Sequence, residues 1–231
     1  MSAAGRTDRS VEVPMVEGQR LDRAEFHARY ESMPSGIRAE LIDGVVSMPS
    51  PAGAGHGRVH STISYWLLCY REGTPDVDVL DNATTFLGPR SEVQPDAQMR
   101  ILPECGGRTT PAGRYIAGGP ELVVEVSQAT QRGDLGSKRI EYERAGVLEY
   151  VVIAAEPDEV IWHRLRDGRL EAVPADGDGL YRSTAFPGLW LDPSAMLACD
   201  LRGLRAAVDR GLATPEHGAF VARLNEVRDR R

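Results

Sequence analysis

The spacing of apolar residues changes period several times along the chain, and each change predicts an element. LDRAEFHARYES (21–32) follows a helical repeat until MPSG stops it. AELIDGVVSM predicts two short strands about Asp43-Gly44, a dipeptide that tolerates the positive φ a tight hairpin demands. In HGRVHSTISYWLLCYRE, Val59, Ile63, Trp66, Leu67 and Tyr70 recur at about 3.6 residues, the clearest helical stripe in the chain. VDVLDNATTFLG and EVQPDAQMRI are strand-like, while PECGGRTTPAGRYIAGGP, rich in Gly and Pro, predicts a surface loop. ELVVEVS, DLGSKRIEYERAG and LEYVVIAAE then form a strand–helix–strand unit whose strands should run parallel. EVIWHRLRDGRLEAV predicts a hairpin around Asp167-Gly168, and YRSTAFPGLWLDPSAML an edge element. Two helices close the chain, the second with Thr214 as N-cap and Pro215 at its first position. The expected organisation is a flexible tail (1–20), an α/β domain (21–200) and a helical extension (201–231).

Composition narrows the functional classes. With 231 residues, 42% of them hydrophobic and 26% charged, the chain can bury one α/β core. A net charge of -7 excludes a surface that grips nucleic acid by bulk positive charge, so any such partner must meet a few basic groups in one groove. Cys69, Cys105 and Cys199 are odd in number and far apart, which predicts reduced thiols in a cytoplasmic protein. The segment MSAAGRTDRSVEVPMVEGQR lacks the apolar stretch of a signal peptide, and no apolar run approaches the ~20 residues that span a bilayer.

Two residues break local rules. Leu122, Val124 and Val126 share one face of their strand, and Glu121, Val123, Glu125 and Ser127 share the other. If helices cover both faces, Glu125 is buried and needs a proton, a cation or a salt bridge. In the next helix Asp134 is the expected N-cap, which puts Lys138 near the first turn, where cations cost about 0.3–1 kcal/mol against the dipole. Lys138 shares the inward face with Leu135, Tyr142 and Ala145, within reach of Glu125. Asp96 sits in a strand-like run behind Pro95, which cannot donate to a ladder and so predicts a bulge or irregularity. Glu40, at the start of ELIDG, is by itself an ordinary strand residue.

AELIDGVVSMPSP before a His-led helix, then QPDAQMRILPE, PELVVEVSQAT, DLGSKRIEYERAGVLEYVV and FPGLWLDP, resemble the Uma-type putative restriction endonuclease family. That family belongs to the PD-(D/E)XK nuclease-like superfamily, and the resemblance runs in order from about residue 20 to 225. It implies an α/β fold with a restriction-endonuclease-like core, a central mixed sheet flanked by helices, with an N-terminal hairpin and C-terminal helices. It makes Asp96 the aspartate of the PD element, Glu125 the second acid, and Glu40 the family's glutamate before IDG. The superfamily's lysine would fall at Ser127, and in this family its role moves to Lys138. Asp96, Glu125 and the Val126 carbonyl, with Glu40 direct or through water, then form an oxygen site suited to Mg²⁺ or Mn²⁺. The implied activity is phosphodiester hydrolysis of DNA, with RNA the second choice. Cutting both strands would call for a homodimer, for which Phe220, Val221 and Leu224 offer apolar surface.

Three other readings compete. The first is a non-catalytic nuclease-fold protein that binds a partner, and the second a hydrolase using the carboxylates as an acid/base pair on a small substrate. His56 and His60, four apart, could face a zinc ion, but GRV between them lacks the glutamate of a zinc-protease helix. His56 is the better candidate for the mouth of the site.

Overall fold

The computed structural model describes residues 14–34, 36–127, 132–155 and 158–230, without the side chains of 132–135 and 155. The chain runs α1 (Arg23–Ser32), β1 (Glu40–Ile42), β2 (Val45–Ser47), α2 (Ala54–Glu72), β3 (Val77–Asp81), β4 (Thr85–Phe86), β5 (Glu92–Val93) and β6 (Ala97–Ile101). It continues through β7 (Thr110–Ala112), β8 (Tyr115–Ala117), β9 (Leu122–Ser127), α3 (Arg132–Ala145), β10 (Glu149–Ala155), β11 (Asp158–Arg166) and β12 (Arg169–Val173). A small ladder, β13 (Tyr181–Arg182) with β14 (Trp190–Leu191), precedes α4 (Pro193–Leu197), α5 (Leu201–Leu212) and α6 (Pro215–Asp229).

Two six-stranded sheets carry the fold, in the orders β12-β11-β10-β9-β6-β3 and β2-β1-β5-β4-β8-β7. In the first, β9 and β10 are parallel and joined by α3, while the other pairs are antiparallel. Asp43 (φ 48) and Gly44 (φ 78) make the β1–β2 turn with the positive dihedrals that their sequence promises. The first sheet is buried on both sides. Leu122, Val124 and Val126 pack under Ile63, Trp66 and Leu67 of α2. Val123, Tyr150 and Val152 pack under Tyr142 of α3 and against Ile42 and Val93 of the other sheet.

Several expectations are corrected. The strand expected from Val77 onward breaks at Asn82 (φ 49), so β3 and β4 lie in different sheets. EVQPDAQMRI likewise divides around Pro95, and Asp96 lies in the crossover rather than mid-strand. The two crossovers touch, with the Asn82 N–H donating to the Asp96 carbonyl at 3.3 Å. The supposed loop at 106–119 contains the β7–β8 hairpin, and α3 begins at Arg132, upstream of the expected cap Asp134. Lys138 therefore sits in the second turn, where the dipole cost has faded; the Leu135 and Asp134 side chains, with Gln128 and most of the tail, lie outside the described residues.

The terminal helices join the main core. Phe220 and Leu224 are 2% and 1% exposed and pack with Leu204, Val208 and Phe186, so they are not free to meet a second copy. Cys69 and Cys105 are buried and Cys199 is half-buried, all as free thiols. Among the described residues no helix is long and apolar enough to cross a membrane.

His217 ties α6 to α2: Nδ1 lies 3.1 Å from the Leu212 carbonyl and Nε2 3.0 Å from Thr74 Oγ1. Burial pushes its pKa below the ordinary value. A histidine whose folded pKa is depressed contributes stability that is full above the unfolded pKa of ~6.5 and lost as pH falls through the folded value. The melting temperature followed by circular dichroism should therefore fall more steeply from about pH 7 to about pH 5 in wild type than in His217→Gln. Parallel slopes would refute this.

Candidate active site

The contact between the crossovers places Asp96 at the C-terminal end of β9. Its Oδ2 accepts the Val126 N–H at 2.8 Å, and its Oδ1 lies 3.2 Å from His56 Nε2. One turn further along α2, His60 Nε2 meets the Asp96 carbonyl at 2.8 Å and Asp81 Oδ1 at 2.6 Å. A regular strand at Pro95 would have pointed this carboxylate out of a sheet face; the break turns it onto the β9 backbone.

The Glu125 side chain points to the opposite face from Val124 and Val126, toward α3. Its Oε1 accepts Lys138 Nζ at 3.0 Å and the Tyr142 hydroxyl at 2.7 Å. Lys138 and Tyr142 are one turn apart, so a single helix face grips the carboxylate. Lys138 Nζ also reaches Glu40 Oε2 at 2.8 Å, while Glu40 Oε1 accepts the Gln94 N–H at 2.6 Å. Glu40, Asp96, Glu125 and Lys138 are all buried, none more than 9% exposed. Four segments far apart in sequence thus meet at one point.

The electrostatics follow from that crowding. Burial, only partly offset by Lys138, pushes the Glu125 carboxyl up to about 7, and the charges of Asp96 and Glu40 add to the rise. Burial would also raise Asp96, but the bonds from His56 and the Val126 N–H outweigh it and hold the carboxyl below its ordinary value. The hydrogen bond to Asp96 raises His56. Burial opposes the Lys138 ammonium, yet Glu125 and Glu40 prevail and raise it. Three carboxylates face one lysine and one histidine, so the site is short of positive charge.

The two histidines both turn Nε2 to Asp96, His56 to its carboxylate and His60 to its carbonyl. Among the described residues no three His, Cys, Asp or Glu side chains stand close enough to hold a metal between them. The Gln94 N–H and Asn82 could not be read beforehand, because both are placed by backbone geometry at the strand breaks.

The Uma2 family profile, described as "Putative restriction endonuclease", matches residues 23–194. The chain belongs to this family. The Uma2 match spans α1 to the start of α4 and includes every residue of the cluster. Among curated proteins nothing matches. A crystal structure titled as a "putative nuclease belonging to DUF820" from Anabaena variabilis matches at a TM-score of 0.58 with 16% identity. The match covers 74% of this chain and 96% of that one, and it shows a shared fold: mixed sheets flanked by helices.

Proposed function

We propose that this Uma2 protein is a divalent-metal-dependent nuclease of the PD-(D/E)XK type that hydrolyses phosphodiester bonds, in DNA before RNA. The observation that carries the reading is the Lys138 ammonium held between Glu125 and Glu40, beside an Asp96 fastened to the residue after Glu125. A lysine from α3 thereby stands near the acid of β9, although the strand position two residues on is Ser127.

The donor set fits Mg²⁺ or Mn²⁺. Asp96, Glu125 and the Val126 carbonyl would supply oxygens only, in a buried cluster whose charge shortage a divalent cation would relieve. Only two of these are side chains, consistent with the lack of a ready three-residue cluster. Such an ion supplies Lewis acidity toward a phosphodiester oxygen and a lowered pKa for water.

The chain's own residues do the rest. His56 and the Val126 N–H keep Asp96 ionised and aimed. Tyr142 fixes Glu125 Oε1. An ammonium carries three protons, and Lys138 directs two of them to Glu125 and Glu40, leaving one for a water or phosphate oxygen. Glu40 anchors the lysine through Oε2 while Oε1 accepts the Gln94 N–H, and it would complete the ligand set directly or through water. A homodimer would still serve to cut both strands, through a surface other than Phe220 and Leu224.

A second reading has one observation behind it: with no metal, Lys138 already satisfies Glu125 and Glu40, as it would in an inactive, partner-binding relative. Calorimetric titration of Mg²⁺ and Mn²⁺ into wild type and Glu125→Ala separates the two. The nuclease reading expects binding by wild type and a loss of about 10–100-fold or more in the variant. Equal titrations, or no heat from either protein, would overturn it.

A further inference from the structure

Beside the cluster, an open cleft of about 480 Å³ runs between the Asn82 crossover and the β7–β8 hairpin, within the ~300–1,000 Å³ of small-molecule sites. Asn82, Thr84, Arg100, Arg114 and Tyr115 line it. Asn82 joins this cleft to the site: its N–H holds the Asp96 carbonyl, and its amide donates to Asp81 Oδ1, the partner of His60. Arg38 leans over the same corner. It donates to Asn82 Oδ1 and lies close enough to His56 for its charge to oppose protonation of that ring.

The arginines in and beside the cleft are not equivalent. Arg100 pairs with Asp78 at 3.4 Å, and Arg114 with Glu31 at 2.7 Å. Arg38 is exposed, and among the described residues its hydrogen bond is to the neutral Asn82 and it has no carboxylate partner. In a chain of net charge -7, an unneutralised guanidinium at the corner between a carboxylate cluster and an open cleft is suited to an anion with paired oxygens. Gly53, Gly55 and Gly57 at the start of α2 have open space where a side chain would stand, which keeps the approach to His56 clear.

We propose that Arg38, braced by Asn82, grips a phosphate of the nucleic-acid backbone next to the bond to be cut, and that the adjoining cleft over Thr84 holds the nucleotide beyond it. The inference rests on the nuclease reading and adds the path of the substrate. Substrate would cross the molecule from Asp96 past Asn82 toward the β7–β8 hairpin. Asp96 and Glu125 repel the same backbone, so a cation at this corner also decides where the strand can settle.

Fluorescence anisotropy of a fluorescein-labelled oligodeoxythymidylate, in EDTA and over a series of salt concentrations, tests this in wild type, Arg38→Ala, Arg38→Lys and a distant control, Arg202→Ala. Arg38→Ala should bind about tenfold more weakly, with the slope of log affinity against log salt reduced by about 0.7–1. Arg38→Lys should keep most of the slope, because the charge remains, and Arg202→Ala should match wild type. Arg38→Ala indistinguishable from Arg202→Ala in affinity and slope overturns the phosphate grip. In a metal-dependent cleavage assay, a wild type that cuts and an Arg38→Ala with unchanged KM sinks the grip but leaves the nuclease reading standing. A wild type that neither binds nor cuts sinks both.

Discussion

Lys138→Met is expected to cost the metal-free protein about 3–5 kcal/mol of folding free energy and to lower any cleavage by about 10²–10⁴-fold. The residue is 9% exposed, with Nζ 3.0 Å from Glu125 and 2.8 Å from Glu40. Methionine keeps most of the volume and removes the cation, so the loss reports charge rather than packing. Both carboxylates would then remain buried, with only Tyr142 and the Gln94 N–H as partners. Urea unfolding at about pH 8 in EDTA measures this as a shift of midpoint at constant slope. Glu125→Gln in the Lys138→Met background should recover a substantial part of the loss, since a neutral amide can still accept the Tyr142 hydroxyl. A double-mutant cycle across Glu125 and Lys138 isolates the pair. If Lys138→Met unfolds at the wild-type urea concentration, the ammonium does not sit between the two acids, and the arrangement that carries the functional reading is gone.

How much of this could be read beforehand depends on the range of each signal. Glu125 was legible because strand alternation is local: Val124 and Val126 fix one face, and Glu125 must take the other. Lys138 was legible because helix phase is local too, and its inward face is set by Tyr142 and Ala145. The helix start was misjudged by three residues with Asp134 as the cap, yet the phase survived, since it depends on spacing and not on the cap. Pro95 announced an irregularity, but the sequence could not say that the chain leaves one sheet for another there. β4 and β5 are two residues each, too short for any period to show. Their place is decided by partners such as Leu41 and Ile116, distant in sequence. The β7–β8 hairpin, by contrast, carried a usable signal. Gly113 (φ 63) and Arg114 form a two-residue loop with glycine first, a known hairpin pattern, hidden by the Gly and Pro content around it. Glu40 had no local mark at all and entered only through the family resemblance. Its buried position comes from Lys138 and Gln94, neither of which its own neighbours could predict.

On the nuclease reading, a lysine on the helix instead of the strand has a structural logic. At Ser127, the last residue of β9, a lysine would share the face of Glu125 on the same strand. From α3 the ammonium descends onto Glu125 from above, with Tyr142 one turn later supplying a second bond to the same oxygen. Glu40 on the other sheet accepts a second N–H of the same ammonium. The lysine thus also ties α3 to β1 and β9, and on the nuclease reading one residue serves both the fold and the site. That double duty predicts why Lys138→Met should lose stability and activity together.

Asp96→Asn should separate the two. Cleavage of supercoiled plasmid in Mg²⁺ or Mn²⁺ should fall by about a thousandfold or more, on the order of 4 kcal/mol of transition-state stabilisation. Stability in EDTA should change far less than in Lys138→Met. The asparagine carbonyl can still accept the Val126 N–H, and the amide removes a charge from a site that already has too many negative ones. Metal linkage gives a readout independent of catalysis. Ligand at about 100 times its Kd stabilises the folded state by about 2.7 kcal/mol, so Mn²⁺ should raise the wild-type melting temperature and leave Asp96→Asn almost unmoved. The competing structural reading expects no Mn²⁺ shift in either protein, because Lys138 alone would complete the cluster. A Mn²⁺ shift of equal size in both would remove Asp96 from the metal site even if cleavage were lost, and its role would then reduce to holding His56 and the end of β9.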